Sequence, residues 1–243
     1  MEAIKTQGLT KTYKGFTAVD GLNLTVEKGE LFSLLGVNGA GKTTTVRMLS
    51  CLLRPTAGDA LVMGKSIVRE SALVKRVIGV SPQETAVAQN LTARENLLFM
   101  CGVHGMSRAE ANARAAELTE RFSLGEVLSR RAGKLSGGWQ RRLSIAMALI
   151  TGPEILFLDE PTLGLDVIAR AALWDEVRSL KGKMTVILTT HSMEEAAALS
   201  DRVGVMHRGH LIASGTPDEL CRAAGRERFE DAFVSIVKEA EGR

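Results

Sequence analysis

Aromatic residues are scarce: seven Phe, two Trp and one Tyr make up only 4% of the 243 residues. Cysteine is scarcer, with Cys51, Cys101 and Cys221 isolated and no C-x-x-C pair among them. That odd, scattered set excludes a disulfide framework and suits free thiols in a reducing cytosol. Long apolar runs are also missing. The longest stretch without Asp, Glu, Lys or Arg is residues 96–107, twelve positions, whereas a spanning helix needs roughly 17–25. The first fifteen residues carry no apolar core of a secretory signal. An excess of either charge is absent too: 31 Lys and Arg against 28 Asp and Glu leave +3, which argues against nucleic acid as a partner. With 45% hydrophobic residues there is ample material for a core, so a disordered or collagen-like chain is excluded.

What is present is an alternation of short apolar runs and helical patterns. Glu30-Leu31-Phe32-Ser33-Leu34-Leu35 reads as a strand stopping at Gly36, followed by a helix from Gly41 to about Leu53, before Pro55. Further strands are expected at Val77-Ile78-Gly79-Val80, Ile155-Leu156-Phe157-Leu158, Thr185-Val186-Ile187-Leu188 and residues 202–206. Between residues 92 and 128 strand signals vanish and helix formers dominate, with Ser107 and Glu110 spaced as a capping box. The coarse expectation is an α/β frame with a helix-rich insert. In the tail, Phe229, Phe233, Ile236 and Val237 share one helical face, the pattern of a docked terminal helix.

Gly36-Val37-Asn38-Gly39-Ala40-Gly41-Lys42-Thr43 matches G-x-x-x-x-G-K-[ST] at every fixed position, between a strand and a helix. Glycines let backbone N–H groups curl around a phosphate, and the helix start adds positive potential. Lys42 can reach the outer phosphates as a mobile charge, and the Thr43 hydroxyl can ligate Mg²⁺. This pattern says nucleoside triphosphate and no more, since many enzyme classes share it.

The strand Ile155-Leu156-Phe157-Leu158 ends in Asp159 and Glu160. Asp159 is placed to hold Mg²⁺ beside Thr43, and Glu160, one residue on, to polarise a water at the γ-phosphate. His191 follows another β-branched strand, where it is either a γ-phosphate contact or a structural histidine. Gln83, after Val80-Ser81-Pro82, has an amide that can serve nucleotide oxygen or Mg²⁺-bound water, as can many loop glutamines. Tyr13, the single tyrosine, is either a flat partner for adenine or an ordinary surface ring.

Leu135-Ser136-Gly137-Gly138-Trp139-Gln140-Arg141-Arg142 places a hydroxyl and two glycines before a helical run, a second anion-binding pattern. With this motif the chain resembles the ATP-binding cassette (ABC) family from about residue 3 to about residue 222. The elements stand in family order: Tyr13, the phosphate loop through Thr44, Gln83, the LSGG signature, Asp159 with Glu160, Gly164-Leu165-Asp166, then His191. The resemblance implies an α/β P-loop NTPase core with a mixed sheet, an N-terminal antiparallel β region and an inserted helical subdomain at about 84–150. It implies a cassette over 1–222 and a helical tail over 223–243. It also implies ATP and Mg²⁺ as ligands and head-to-tail pairing with a second cassette. In that pairing Ser136, Gly137 and Gly138 serve the partner's ATP and Asp166 lies at the seam. Trp139 stands where the family's commonest signature has Gln.

The distance from Gln83 to Ser136 is 136 − 83 = 53 residues, a compact insert like that of transporter ATPases rather than of soluble cassettes used on DNA or in translation. Thr92-Ala93-Arg94-Glu95-Asn96-Leu97 resembles the segment that meets a membrane subunit, with Leu97, Leu98, Phe99 and Met100 divided between core and groove. The phrases beginning at Phe16 and Gly164 and the tail from Phe229 resemble the ABC-2 exporter branch, which includes multidrug and sodium efflux ATPases. After His191 only 243 − 191 = 52 residues follow, too few for the regulatory domain of some importers. An exporter ATPase working with a separate transmembrane subunit, peripheral on the cytoplasmic face, is therefore expected. The alternatives are an importer subunit or a soluble non-transport cassette.

Overall fold

Every residue of Leu31–Leu35, Ile155–Asp159 and Thr185–Thr190 is buried, as parallel strands covered on both faces must be. They are the centre of a computed structural model that describes residues 1–242. The chain begins with β1 (Glu2–Tyr13), β2 (Phe16–Leu22), β3 (Thr25–Glu27), β4 (Leu31–Leu35) and helix α1 (Lys42–Leu49). Next come β5 (Ala57–Val62), β6 (Lys65–Ser66), α2 (Ser71–Val74) and β7 (Ile78–Ser81). Helices α3 (Ala93–Val103), α4 (Arg108–Arg121) and α5 (Gly137–Ala148) form the insert. Then follow β8 (Ile155–Asp159), α6 (Val167–Arg178), β9 (Thr185–Thr190) and α7 (Met193–Leu199). Last are β10 (Arg202–His207), β11 (His210–Gly215), α8 (Pro217–Ala223) and α9 (Phe229–Glu241).

The central sheet has the order β11-β10-β4-β9-β8-β7, parallel throughout except for β11 against β10. The N-terminal sheet, β2-β1-β5-β6 with β3 also on β1, is antiparallel. Alternation along β8 and β9 sends their side chains into two core clusters. Leu156, Leu158, Val186 and Leu188 pack with Leu97, Leu118 and Leu143 of the insert, while Ile155, Phe157 and Ile187 pack with α1 and the N-terminal sheet. The carboxyl ends of β4, β8 and β9 therefore open at one edge, where loops carry side chains out of a rigid frame.

Helix α1 is shorter than the expected reach to Leu53. Cys51 takes a left-handed φ of 57°, and the N–H groups of Leu52 and Leu53 both turn back to Arg47 O at 2.9 Å. The first two insert helices, α3 and α4, start with capping boxes, Thr92 with Glu95 and Ser107 with Glu110. Of the four candidate groove residues, Leu97 is fully buried and Phe99 is 56% exposed. Gly79 lets β7 run against the end of α5, since a Cβ there would lie 2.2 Å from Ala148 O. In the tail, Phe229 and Phe233 pack with Leu35, Ala196, Val203 and Leu220, with Ile236 and Val237 alongside. The expected boundary after residue 222 falls inside α8 (Pro217–Ala223). Among the described residues no helix is long and apolar enough to cross a membrane.

Candidate functional site

The turn from β4 into α1 is built on close backbone approaches. A Cβ at Gly36 would lie 2.4 Å from Met206 O, and one at Gly41, whose φ is 102°, would lie 2.4 Å from Ala18 O. The first intrahelical bond of α1 runs from Thr45 N–H to Gly41 O, so the N–H groups of Lys42, Thr43 and Thr44 precede it at the positive end of the helix. No acidic residue stands in that first turn. Lys42 Nζ donates to Gly36 O at 2.7 Å and lies 3.3 Å from Glu160 Oε1, with both side chains buried.

A cleft of about 470 Å³ opens over this helix start. Asn38, Gly39, Ala40, Gly41, Lys42, Thr43 and Thr44 form its floor, and Phe16, Ala18, Gln83, Glu160, Leu163 and His191 its walls. At Gly39 nothing lies within 4 Å of where a Cβ would stand. An open loop, free helix-start donors and a buried ammonium fit a polyphosphate.

Asp159 ends β8 behind the loop. Its Oδ1 accepts from Thr43 Oγ1 at 3.0 Å and from Thr189 Oγ1 at 2.5 Å. A hydroxyl and a carboxylate at that spacing are the hard oxygen ligands that Mg²⁺ takes alongside phosphate oxygens. Glu160 then leaves the strand direction, with φ at 48°. A non-glycine residue held there costs roughly 1–3 kcal/mol, and the surroundings enforce it. Its N–H donates to Thr189 O at 3.1 Å and its C=O accepts from Leu163 N–H at 3.2 Å. The result is a carboxylate between two nitrogen partners, the Lys42 ammonium 3.3 Å from Oε1 and His191 Nδ1 2.6 Å from Oε2. Such a group can orient a water and take its proton at the cleft wall.

Gln83 is exposed on the opposite wall. Arg141 of α5, which the sequence reading did not single out, holds the backbone around it, donating to Pro82 O at 2.6 Å and to Gln83 O. Arg141 is 4% exposed, and burial pushes its pKa down against the opposing pull of Asp159. Two adjacent arginines on a helix with a buried face were the available signal, since one of them must point inward.

Tyr13 does not line the cleft. Its ring, 45% exposed, lies beneath Lys11 Nζ at 5.3 Å. The aromatic wall is Phe16, the cross-strand neighbour of Tyr13 across the β1–β2 turn.

Ser136, Gly138 and Asp166 come together elsewhere, in a second hollow of about 330 Å³ walled by Trp139, Arg142 and α6. Ser136 is the N-cap of α5, yet its hydroxyl makes no bond to its own helix, and Gly137 follows it exposed. Gly138 admits α6, since a Cβ there would stand 3.1 Å from Ala169 Cβ. Asp166 caps α6 by accepting from Ala169 N–H at 2.8 Å. Beneath this hollow the Arg142 guanidinium lies over the Trp139 ring at 4.9 Å and pairs with Glu176 at 3.1 Å. Burial pushes the Glu176 carboxyl up to about 7. The two hollows share no lining residue.

The sequence profile of the ABC transporter family matches residues 19–163. The chain is similar to the daunorubicin/doxorubicin resistance ATP-binding protein DrrA of Streptomyces peucetius, with 47% identity over 235 residues covering 95% of this chain and 71% of that protein. Among solved structures it resembles the ATP-binding subunit of an ABC transporter, with TM-score 0.85 and 28% identity over 97% of this chain and 99% of that one. It also resembles a dimeric post-hydrolysis ATP-binding cassette bound to ADP and Pi, with TM-score 0.79 and 28% identity over 88% and 98% of the two chains.

Proposed function

Because the chain belongs to the ABC transporter family as an ATP-binding and ATP-hydrolysing cassette, we propose that it powers export through a transmembrane subunit on a separate chain. The observation that carries the reading is the meeting of Lys42, Thr43 with Asp159, and Glu160 with His191 around one helix start. The drug-resistance name of its relative DrrA supports export as the direction.

In this reading the loop N–H groups from Gly39 to Thr44 and the Lys42 ammonium bind the β- and γ-phosphates. A phosphate entering the loop competes with Glu160 for Lys42 and frees that carboxylate to accept a proton from water. His191, fixed through Nδ1, presents its other nitrogen for the γ-phosphate. Thr43, Asp159 and Gln83 would hold Mg²⁺, which neutralises phosphate charge when bound. Phe16 offers adenine the aromatic wall of the cleft, with Tyr13 its neighbour at the hairpin end outside the lining. Ser136, Gly137, Gly138 and Asp166 serve the nucleotide of a second cassette, so ATP closes the pair and hydrolysis opens it. We assign the cassette to 1–222, with the insert at about 84–150 and the tail at 223–243. The protein sits on the cytoplasmic face of the membrane, held there by its transmembrane partner.

The test is ATP-driven uptake of a fluorescent anthracycline into inverted vesicles carrying this chain and a co-expressed multi-span membrane protein, sought first in the reading frames adjoining its gene. Uptake should require both chains and disappear with Glu160→Gln. Equal uptake with that variant would overturn the reading.

A further inference from the structure

Glu195 lies in α7, four residues after His191, and is 1% exposed. Its Oε1 accepts from Thr162 Oγ1 at 2.8 Å and from Trp174 Nε1 at 3.1 Å. Its Oε2 is fully enclosed without a hydrogen-bond partner. A buried polar atom left unpaired costs about 1–3 kcal/mol, so the carboxyl is retained against a penalty. Burial pushes Glu195 above the usual carboxylate range, against the bonds from Thr162 and Trp174, and the nearby Glu160 charge adds to the rise. The same oxygen ties three pieces of chain. Thr162 stands two residues after Glu160, Trp174 belongs to α6, which Asp166 caps, and Glu195 belongs to the helix that follows His191.

We propose that Glu195 is a positioning residue for hydrolysis. Through one acceptor oxygen it pins the segment leaving Glu160 against α6 and α7, and so holds Glu160 in the left-handed turn that faces Lys42 and His191. Nothing in this role needs a charge on Glu195; it needs an oxygen at that point, shared by a hydroxyl and an indole N–H. Glu195 touches neither nucleotide nor water in the mechanism above, and the inference rests on that reading of Glu160 as the proton acceptor.

The test compares steady-state ATP hydrolysis by the full chain and its variants. Glu195→Ala should lower kcat about tenfold or more while KM for ATP stays within about twofold, the mark of an interaction that acts on the transition state. Glu195→Gln, whose amide oxygen can accept both bonds, should keep kcat within about threefold of wild type. Wild-type kcat in Glu195→Ala, an equal loss of ATP affinity, or a Gln variant as poor as Ala would each overturn the proposal. Should Glu195→Ala fail to fold, Thr162→Val removes one donor from a half-buried position and should lower kcat in the same way. A wild-type chain that binds ATP without hydrolysing it counts against the proposed function instead. The inference is then decided by fluorescence in a Trp139→Phe background, which leaves Trp174 as the one indole of the two in the chain. ATP should shift Trp174 emission with Glu195→Gln and not with Glu195→Ala; the same response in both overturns it.

Discussion

The chain offers two helix starts to anions, and they are built differently. At α1 the charges are buried and mutually compensated: Lys42, Asp159 and Glu160 are 6%, 5% and 6% exposed, and each has a fixed partner. At α5 the start is open, with Ser136 and Gly137 exposed and the Ser136 hydroxyl uncommitted to its own helix. The first can accept a proton and neutralise a phosphate. The second presents a hydroxyl and backbone N–H groups as donors, and the two occupy separate hollows. In the proposed reading, binding and bond cleavage belong to one end of the molecule, whereas the other supplies a surface for the nucleotide of a second cassette.

This contrast can be broken in order of expected effect. Glu160→Gln should lower turnover by about 10²–10⁴-fold, the usual contribution of a positioned base, while ATP still binds and the chain runs as an ATP-dependent dimer on size exclusion. A monomer with wild-type turnover would end the comparison. Ser136→Arg should abolish cooperative hydrolysis, a loss of about 100-fold at an oxyanion-type contact, yet leave ATP affinity of the monomer unchanged by calorimetry. Lys42→Ala should weaken ATP binding by roughly 10–100-fold, matching about 1.5–3 kcal/mol for a hydrogen bond to a charged group, and unchanged affinity would contradict it. The smallest effect concerns the Glu176–Arg142 pair under the second hollow. Glu176 has its folded pKa raised to about 7 from 4.5, so its stabilising contribution is full below about 4.5 and is lost as pH rises to about 7. Glu176→Gln should flatten that fall, by about 1 kcal/mol after screening, in denaturation midpoints compared at pH 5 and pH 8.

The strands, the phosphate loop and the signature were legible because each depends on residues adjacent in sequence. A run such as Ile155-Leu156-Phe157-Leu158 alternates into two cores in any parallel sheet, and a G-x-x-x-x-G-K-T loop carries its chemistry in its spacing. The same holds for the Ser107–Glu110 cap, which the structure reproduces. What stayed hidden depends on distant chain. Arg141 meets Pro82 across 59 positions and Thr162 meets Glu195 across 33, and no local pattern records either. The turn at Glu160 is imposed by Thr189 of a neighbouring strand. The preference of the cleft for Phe16 over Tyr13 is decided at a hairpin end where both rings are neighbours. The early end of α1 follows from the left-handed Cys51, a residue type that gives no warning of that backbone.

The glycine at position 79 has a mechanical corollary. By letting the carbonyl of Ala148 rest on β7, it gives α5 a fulcrum at one end, while Ser136 at the other end is free. Arg141, clasping the carbonyls of Pro82 and Gln83, grips the same rod partway along. At 1.5 Å per residue the grip lies roughly 10 Å from the fulcrum and Ser136 roughly 18 Å from it. Any rigid tilt of α5 therefore reaches Ser136 magnified nearly twofold over its size at Gln83, which links the wall of the first hollow to the mouth of the second.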